Sequence, residues 1–144
     1  MKENGPLDRM NKYPHDSHSI EFLLIKKITD ASPETLKKII KLIDIVKTLS
    51  YDRVKIPEMS YELIDNELII TTEYIKGIIL NPKVHTNFTS IIFEDLVLSE
   101  NDYSATDYNP RNFVIQDNTY QLYYVDIYGI TKENRNLNFD RHFR

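Results

Sequence analysis

Apolar positions recur along this chain with two periods, and the change of period marks its elements. From Ile20 to Ile28 the run Ile-Glu-Phe-Leu-Leu-Ile-Lys-Lys-Ile suits a strand, largely buried at its centre. Ser32 is a good N-cap, Pro33 fits the first helical position and Glu34 suits the positive helix end. Leu36, Ile39, Ile40, Ile43 and Val46 then follow at helical spacing to about Leu49, with Lys37, Lys41, Asp44 and Thr48 as the opposite stripe. Tyr61-Glu62-Leu63-Ile64 and Glu67-Leu68-Ile69-Ile70 read as two strands across the turn Asp65-Asn66. The second strand continues toward Ile75 and breaks at Lys76-Gly77. A second helix is expected over about Thr86 to Leu98, with Phe88, Ile91, Ile92 and Leu96 inward. After a polar loop, Phe113-Val114-Ile115 and Tyr120 to Val125 form another hairpin that turns at Gln116 to Thr119. Antiparallel hairpins with segregated helices predict an α+β fold.

The flanks are different. Residues 1–18 carry Asn4-Gly5-Pro6 and Tyr13-Pro14-His15-Asp16 and read as a loose arm. Residues 131–144 read as a polar tail, made basic by Arg135, Arg141, His142 and Arg144, and a solvated tail accounts for those charges. His15 and His18 flank Asp16 without a third ligand, which argues against a metal site. His85 has no evident partner. Tyr120, Tyr123, Tyr124 and Tyr128 alternate imperfectly and suit core and surface packing better than base stacking.

Composition narrows the function. The 144 residues suffice for one compact domain or two small lobes, and 41% hydrophobic with 28% charged residues is ordinary for a chain that buries a core. A net charge of -4 argues against a general nucleic-acid surface. With no cysteine, disulfides, thiol catalysis and cysteine-ligated zinc are excluded. No apolar run approaches the ~18 residues of a membrane span, and the first residues lack the apolar segment of a secretory signal, so a cytoplasmic location is expected.

The candidate chemistry lies in Asp107-Tyr-Asn-Pro-Arg-Asn112 and the hairpin that follows it to Asp126. A phosphoryl transferase needs a carboxylate to orient the attacking hydroxyl and accept its proton. It also needs hard oxygen ligands, an amide and a second carboxylate, to hold Mg²⁺ against nucleotide phosphates. A hairpin can bring Asn112, at its start, near Asp126, at its end. A turn sequence alone would also read Asp-Tyr-Asn-Pro, so the weight rests on the apolar hairpin and its terminal Asp126.

These residues resemble the protein-kinase-like superfamily, which includes eukaryotic-type protein kinases and the aminoglycoside and choline kinases. The family's loop, Asp then four residues then Asn, matches Asp107 to Asn112, and Pro110 matches its common proline. The family's later metal-binding Asp matches Val125-Asp126-Ile127-Tyr128-Gly129. The resemblance implies Asp107 as catalytic base, with Asn112 and Asp126 as metal ligands. Leu23-Leu24-Ile25-Lys26 resembles the strand ending in the nucleotide-binding lysine. Glu73-Tyr74-Ile75-Lys76-Gly77 looks like the hinge, where backbone groups of Glu73, Tyr74 and Ile75 would meet adenine. The implied architecture is a minimal two-lobed kinase-like fold. Residues 19–77 would form the small lobe, with its sheet, one helix and a hinge at 73–77, and 78–130 a reduced large lobe. The implied cofactors are ATP and Mg²⁺. The implied partners are a hydroxyl-bearing protein or small-molecule acceptor, and a protein partner or second copy that completes the short large lobe.

Four departures bear on activity. No glycine lies between Gly5 and Lys26, so the Gly-rich phosphate lid is missing or built differently. Leu42 stands where the family's helix carries the Glu that pairs with the lysine, and Asp44 is the nearest acid. Ala105-Thr106 replaces the His-Arg before the catalytic Asp. The segment after Asp126 is short for a kinase large lobe. Asn109 stands where Ser/Thr kinases usually carry lysine, so Ser/Thr protein specificity is not implied. Two alternatives follow: a pseudokinase that binds nucleotide or acts as a scaffold, and a small α+β interaction domain without a nucleotide site.

Overall fold

The computed structural model describes residues 23–144. The arm at 1–18, with His15 and His18, and the strand positions Ile20 to Phe22 lie outside the described residues. The protein is a mixed α+β chain of small antiparallel sheets and short helices. It divides into two units, the first of which holds residues 23–47 and Pro57–Ile75, the second Thr48–Ile56 and Lys76–Arg144.

In the first unit, β1 (Leu23–Ile28) and β2 (Met59–Ile64) flank β3 (Glu67–Glu73) in an antiparallel sheet. The β2–β3 turn is tight because Asp65 and Asn66 both take positive φ, 49° and 64°, as a two-residue hairpin turn with the right twist demands. Strand β1 is not buried throughout. It alternates, with Lys26 and Ile28 buried and Ile25 70% exposed, because only one face of this sheet is covered. Helix α1 (Pro33–Thr48) starts where its cap dictates: the Ser32 hydroxyl accepts from the Thr35 N–H at 3.2 Å. Its buried stripe is Leu36, Ile39, Ile43 and Val46.

In the second unit, β4 (Gly77–Ile79), β6 (Phe113–Gln116) and β7 (Leu122–Tyr124) form a sheet in the order β4-β6-β7. Strand β5 (Ser104–Ala105) pairs with β8 (Ile130–Thr131). Gly77 does not simply break the chain. It opens β4, where a Cβ would stand 2.0 Å from the Ile115 carbonyl oxygen, so only glycine permits the approach. The second helix is shorter than its apolar spacing predicts. Helix α2 (Phe88–Ile92) widens into a π turn at Phe93–Val97, which carries the consecutive residues Asp95, Leu96 and Val97 into the interior.

Asp95 explains why residues 48–56 belong to this unit although the sequence groups them with the small lobe. Its Oδ2 accepts from the backbone N–H of Arg53 at 2.6 Å and of Val54 at 2.8 Å. Lys55 then pairs beside β7, donating to Leu122 at 3.0 Å and accepting from Tyr124 at 2.8 Å.

The segment 131–144 is not an unstructured tail. Asn134 caps α3 (Arg135–Phe143) by accepting from the Leu137 N–H. Phe139 is buried, with its ring 5.1 Å from Phe93 and 6.1 Å from Tyr108. The Arg135 guanidinium donates to the carbonyls of Ser99, Asn101 and Asp102. With one buried residue in nine, the helix leaves too faint a periodic signal to stand out in the sequence. Among the described residues no helix is long and apolar enough to cross a membrane.

Asp95 satisfies two buried or half-buried N–H groups that water does not readily reach. Replacing it with Ala is expected to lower the unfolding free energy by about 2–4 kcal/mol in urea titrations, and Asp95→Asn by less, because its amide oxygen still accepts.

Candidate functional site

The loop after β5 is held by its own side chains. Asp107 Oδ1 accepts from the Asn109 N–H at 3.2 Å, and Asn109 Oδ1 accepts from the Arg111 N–H at 3.1 Å. Asn109 thereby caps the single 3₁₀ turn Pro110–Asn112, which Pro110 begins. Asp107 is exposed, and its second oxygen, Oδ2, accepts no hydrogen bond among the described residues.

Asn112 ends the turn and is 2% exposed. Its Nδ2 donates to the Asp107 carbonyl at 3.3 Å, which fixes the orientation of the amide. Its Oδ1 accepts no hydrogen bond among the described residues. Its own carbonyl accepts from the Val125 N–H at 2.9 Å, beside Asp126, because Phe113 stands opposite Tyr124 in the β6–β7 register. Asp126 Oδ1 accepts from the Tyr128 N–H at 3.0 Å and opens the 3₁₀ turn Ile127–Gly129.

Two further ties bring this turn to Asp107. The Thr106 N–H donates to the Gly129 carbonyl at 2.8 Å, and the Thr106 hydroxyl donates to the same oxygen at 3.2 Å. A Cβ on Gly129 would stand 1.8 Å from the Tyr124 hydroxyl and 3.1 Å from the Asp107 Cβ, so the two loops touch across a glycine. The Tyr124 hydroxyl donates to the Asp107 carbonyl at 3.1 Å. Burial pushes the pKa of this phenol well above the ordinary tyrosine range, and the negative charges of Asp126 and Asp107 push it further.

The second unit therefore brings Asp107, Asn112 and Asp126 together at one end of the β6–β7 hairpin. The donor set suits a hard divalent cation: the Asn112 amide oxygen, without a hydrogen bond among the described residues, and a carboxylate two strands on. Among the described residues there is no group of three or more His, Asp or Glu that could hold a metal, so any cation here depends on the amide.

The other sequence-predicted residues belong to the first unit. Lys26 is buried, 7% exposed, on the same face as Ile28 and opposite Ile70, and is not the surface lysine that a strand end would give. An ammonium is kept in such a place only where polar groups offset its desolvation. Glu73 spends its N–H on the Glu58 carbonyl at 2.8 Å, and its Oε1 accepts from the Glu58 N–H at 3.2 Å. Tyr74 is half-buried and Ile75 buried. Asp44, the nearest acid to the missing helix Glu, accepts from the Tyr61 hydroxyl at 3.5 Å.

Tyr124, Thr106 and Gly129 carry connections that sequence reasoning did not assign them. Gly129 held the one usable signal, as one of only 3 glycines in the chain and close behind Asp126. Comparison with models of known protein families gives no match, and comparison with curated proteins gives none.

Gly129→Ala is expected to destabilise the fold by about 1–3 kcal/mol through overpacking. Adding Tyr124→Phe removes the nearest clashing atom, so in thermal melts the double variant should be more stable than the sum of the single losses predicts.

Burial also pushes up the phenols of Tyr51 and Tyr108, and Tyr108 Oη is fully buried with no hydrogen-bond partner among the described residues. Raised folded-state values mean that the folded chain holds more protons above pH 10, where an unfolded tyrosine ionises. The stability these three phenols contribute is complete below pH 10 and is lost as pH rises through the folded values. Thermal melts should fall with pH in that range, and the tyrosinate absorbance of these three residues should appear only as the chain unfolds.

Proposed function

We propose that this protein is an ATP- and Mg²⁺-dependent phosphotransferase of the protein-kinase-like type that acts on a hydroxyl acceptor. The observation that carries the reading is the meeting of Asp107, Asn112 and Asp126 at one hairpin end, with the Asn112 Oδ1 left for a ligand. The β5–β8 pairing supports it, since it draws the loop before Asp107 against the turn after Asp126.

In this reading Asp126 and Asn112 Oδ1 hold the cation. When bound, Mg²⁺ supplies positive charge that offsets the phosphate oxygens. Asp107 Oδ2 would accept a hydrogen bond from the acceptor hydroxyl, orient its oxygen, and take its proton as that oxygen bonds to the terminal phosphorus and the bond from that phosphorus to the bridging oxygen breaks, releasing ADP. The Asn109 N–H on Oδ1 keeps the carboxylate from turning away. Lys26 supplies positive charge to the nucleotide phosphates. By the resemblance, the backbone of Tyr74 and Ile75 would meet the base, while the N–H of Glu73 donates to the Glu58 carbonyl. A cytoplasmic location, where ATP and Mg²⁺ are plentiful, goes with this activity.

A pseudokinase is the second reading. It is favoured by Asp44, whose carboxylate meets the Tyr61 hydroxyl and so has another role than pairing with a lysine.

One pair of measurements separates the readings. Mg²⁺ with ATP should raise the melting temperature of the wild type and not of Asp126→Ala. Transfer from labelled ATP to the chain itself or to hydroxyl acceptors should fall at least about 10²-fold in Asp107→Ala. A thermal shift without Asp107-dependent transfer would identify the pseudokinase, and no shift at all would remove both readings.

A further inference from the structure

We propose that Tyr124 is a positioning residue for the base loop, its hydroxyl fixing the peptide unit of Asp107 and setting that loop's distance from the Asp126 turn. The proposal rests on the phosphotransferase reading above.

Tyr124 sits on β7 two residues before Asp126 and is 1% exposed. Its ring is fixed edge-on to Phe113, its register partner, with centroids 5.1 Å apart. A phenol this deep is costly to leave without an acceptor. Its acceptor is the main-chain carbonyl of the base residue itself, at 3.1 Å.

That oxygen takes a second donor, Asn112 Nδ2. A carbonyl has two lone pairs, so the two donors together saturate it. With Asn112 alone, the Asp107 peptide unit could swing about a single hydrogen bond. With both donors the direction of the Cα–Cβ bond is fixed, and with it the point from which the carboxylate reaches out. Because Gly129 has no Cβ, the turn after Asp126 closes directly over the same hydroxyl. One oxygen atom thus spaces the proton acceptor from the cation-binding turn. A misplacement of about 1 Å between reacting groups costs on the order of 10²-fold in rate.

The test is Tyr124→Phe, which keeps the ring and removes the oxygen. Amide hydrogen exchange reads the loop directly, without turnover. The N–H groups of Asn109, Arg111 and Asn112 should exchange at least tenfold faster, while those of the β6–β7 ladder keep their wild-type rates. In steady-state kinetics kcat should fall tenfold or more, with KM for Mg-ATP within twofold of wild type. Unchanged loop exchange, or acceleration of the loop and the β6–β7 ladder in equal proportion, overturns the proposal. So does faster loop exchange with unchanged kcat. If wild type shows no Asp107-dependent transfer, the phosphotransferase reading fails first and the proposal falls with it. An active wild type whose Tyr124→Phe form exchanges normally sinks the proposal alone.

Discussion

The carbonyl oxygen of Asp107 is the point on which the site is built. It receives the Asn112 amide from its own loop and the Tyr124 hydroxyl from the strand behind it. The first bond turns the Asn112 amide so that its nitrogen is used and its oxygen is left. The second ties a surface loop to the hairpin, which is buried along Phe113, Val114 and Ile115 and along Leu122 and Tyr124. An exposed carboxylate on a loop would otherwise sample many orientations. Here two hydrogen bonds hold the backbone beneath it, and freedom is confined to the side chain.

The hairpin owes its own placement to contacts far away in sequence. Its β7 edge is flanked by Lys55, held in turn by the segment that Asp95 anchors through the N–H groups of Arg53 and Val54. Asp95 reaches that backbone from the π turn into which α2 widens. Phe139 of α3 then packs against Phe93 on the same π turn and against Tyr108, the residue after Asp107. A buried carboxylate, a helical irregularity and a terminal helix thus bear on one loop. This unit is small, and it compensates by letting polar groups such as Asp95, Thr106 and Asn112 serve as interior connections rather than exposed decoration.

Elements with strong local signals were legible in the sequence. Helix α1 begins at its Ser32 cap, and the Asp65-Asn66 turn fixes the β2–β3 register, because both depend on residues a few positions apart. That the chain at Asn112 lies beside the chain before Asp126 was legible as well, since a hairpin fixes the relation between its two ends. The two-residue strands β5 and β8 were not, because such strands carry no periodicity. Nor was α3, whose single buried residue gives no stripe. The π turn is invisible to a period of 3.6, and the attachment of residues 48–56 to the second unit follows from a carboxylate some forty positions on. Lys26 was ambiguous for a related reason: an apolar run reads as buried throughout, whereas the covered face of β1 takes the lysine and leaves Ile25 outside.

Glycine is scarce in this chain, and its use is informative. Gly77 and Gly129 are both committed to close approach, one of backbone to backbone at β4, the other of a turn to the Tyr124 hydroxyl. Neither adopts a positive φ, so neither serves to bend the chain. A phosphate lid built on a glycine-rich loop needs several closely spaced glycines, and none lies between Gly5 and Lys26. In the proposed activity the charge of the triphosphate must then be met by side chains and the cation rather than by a backbone cradle.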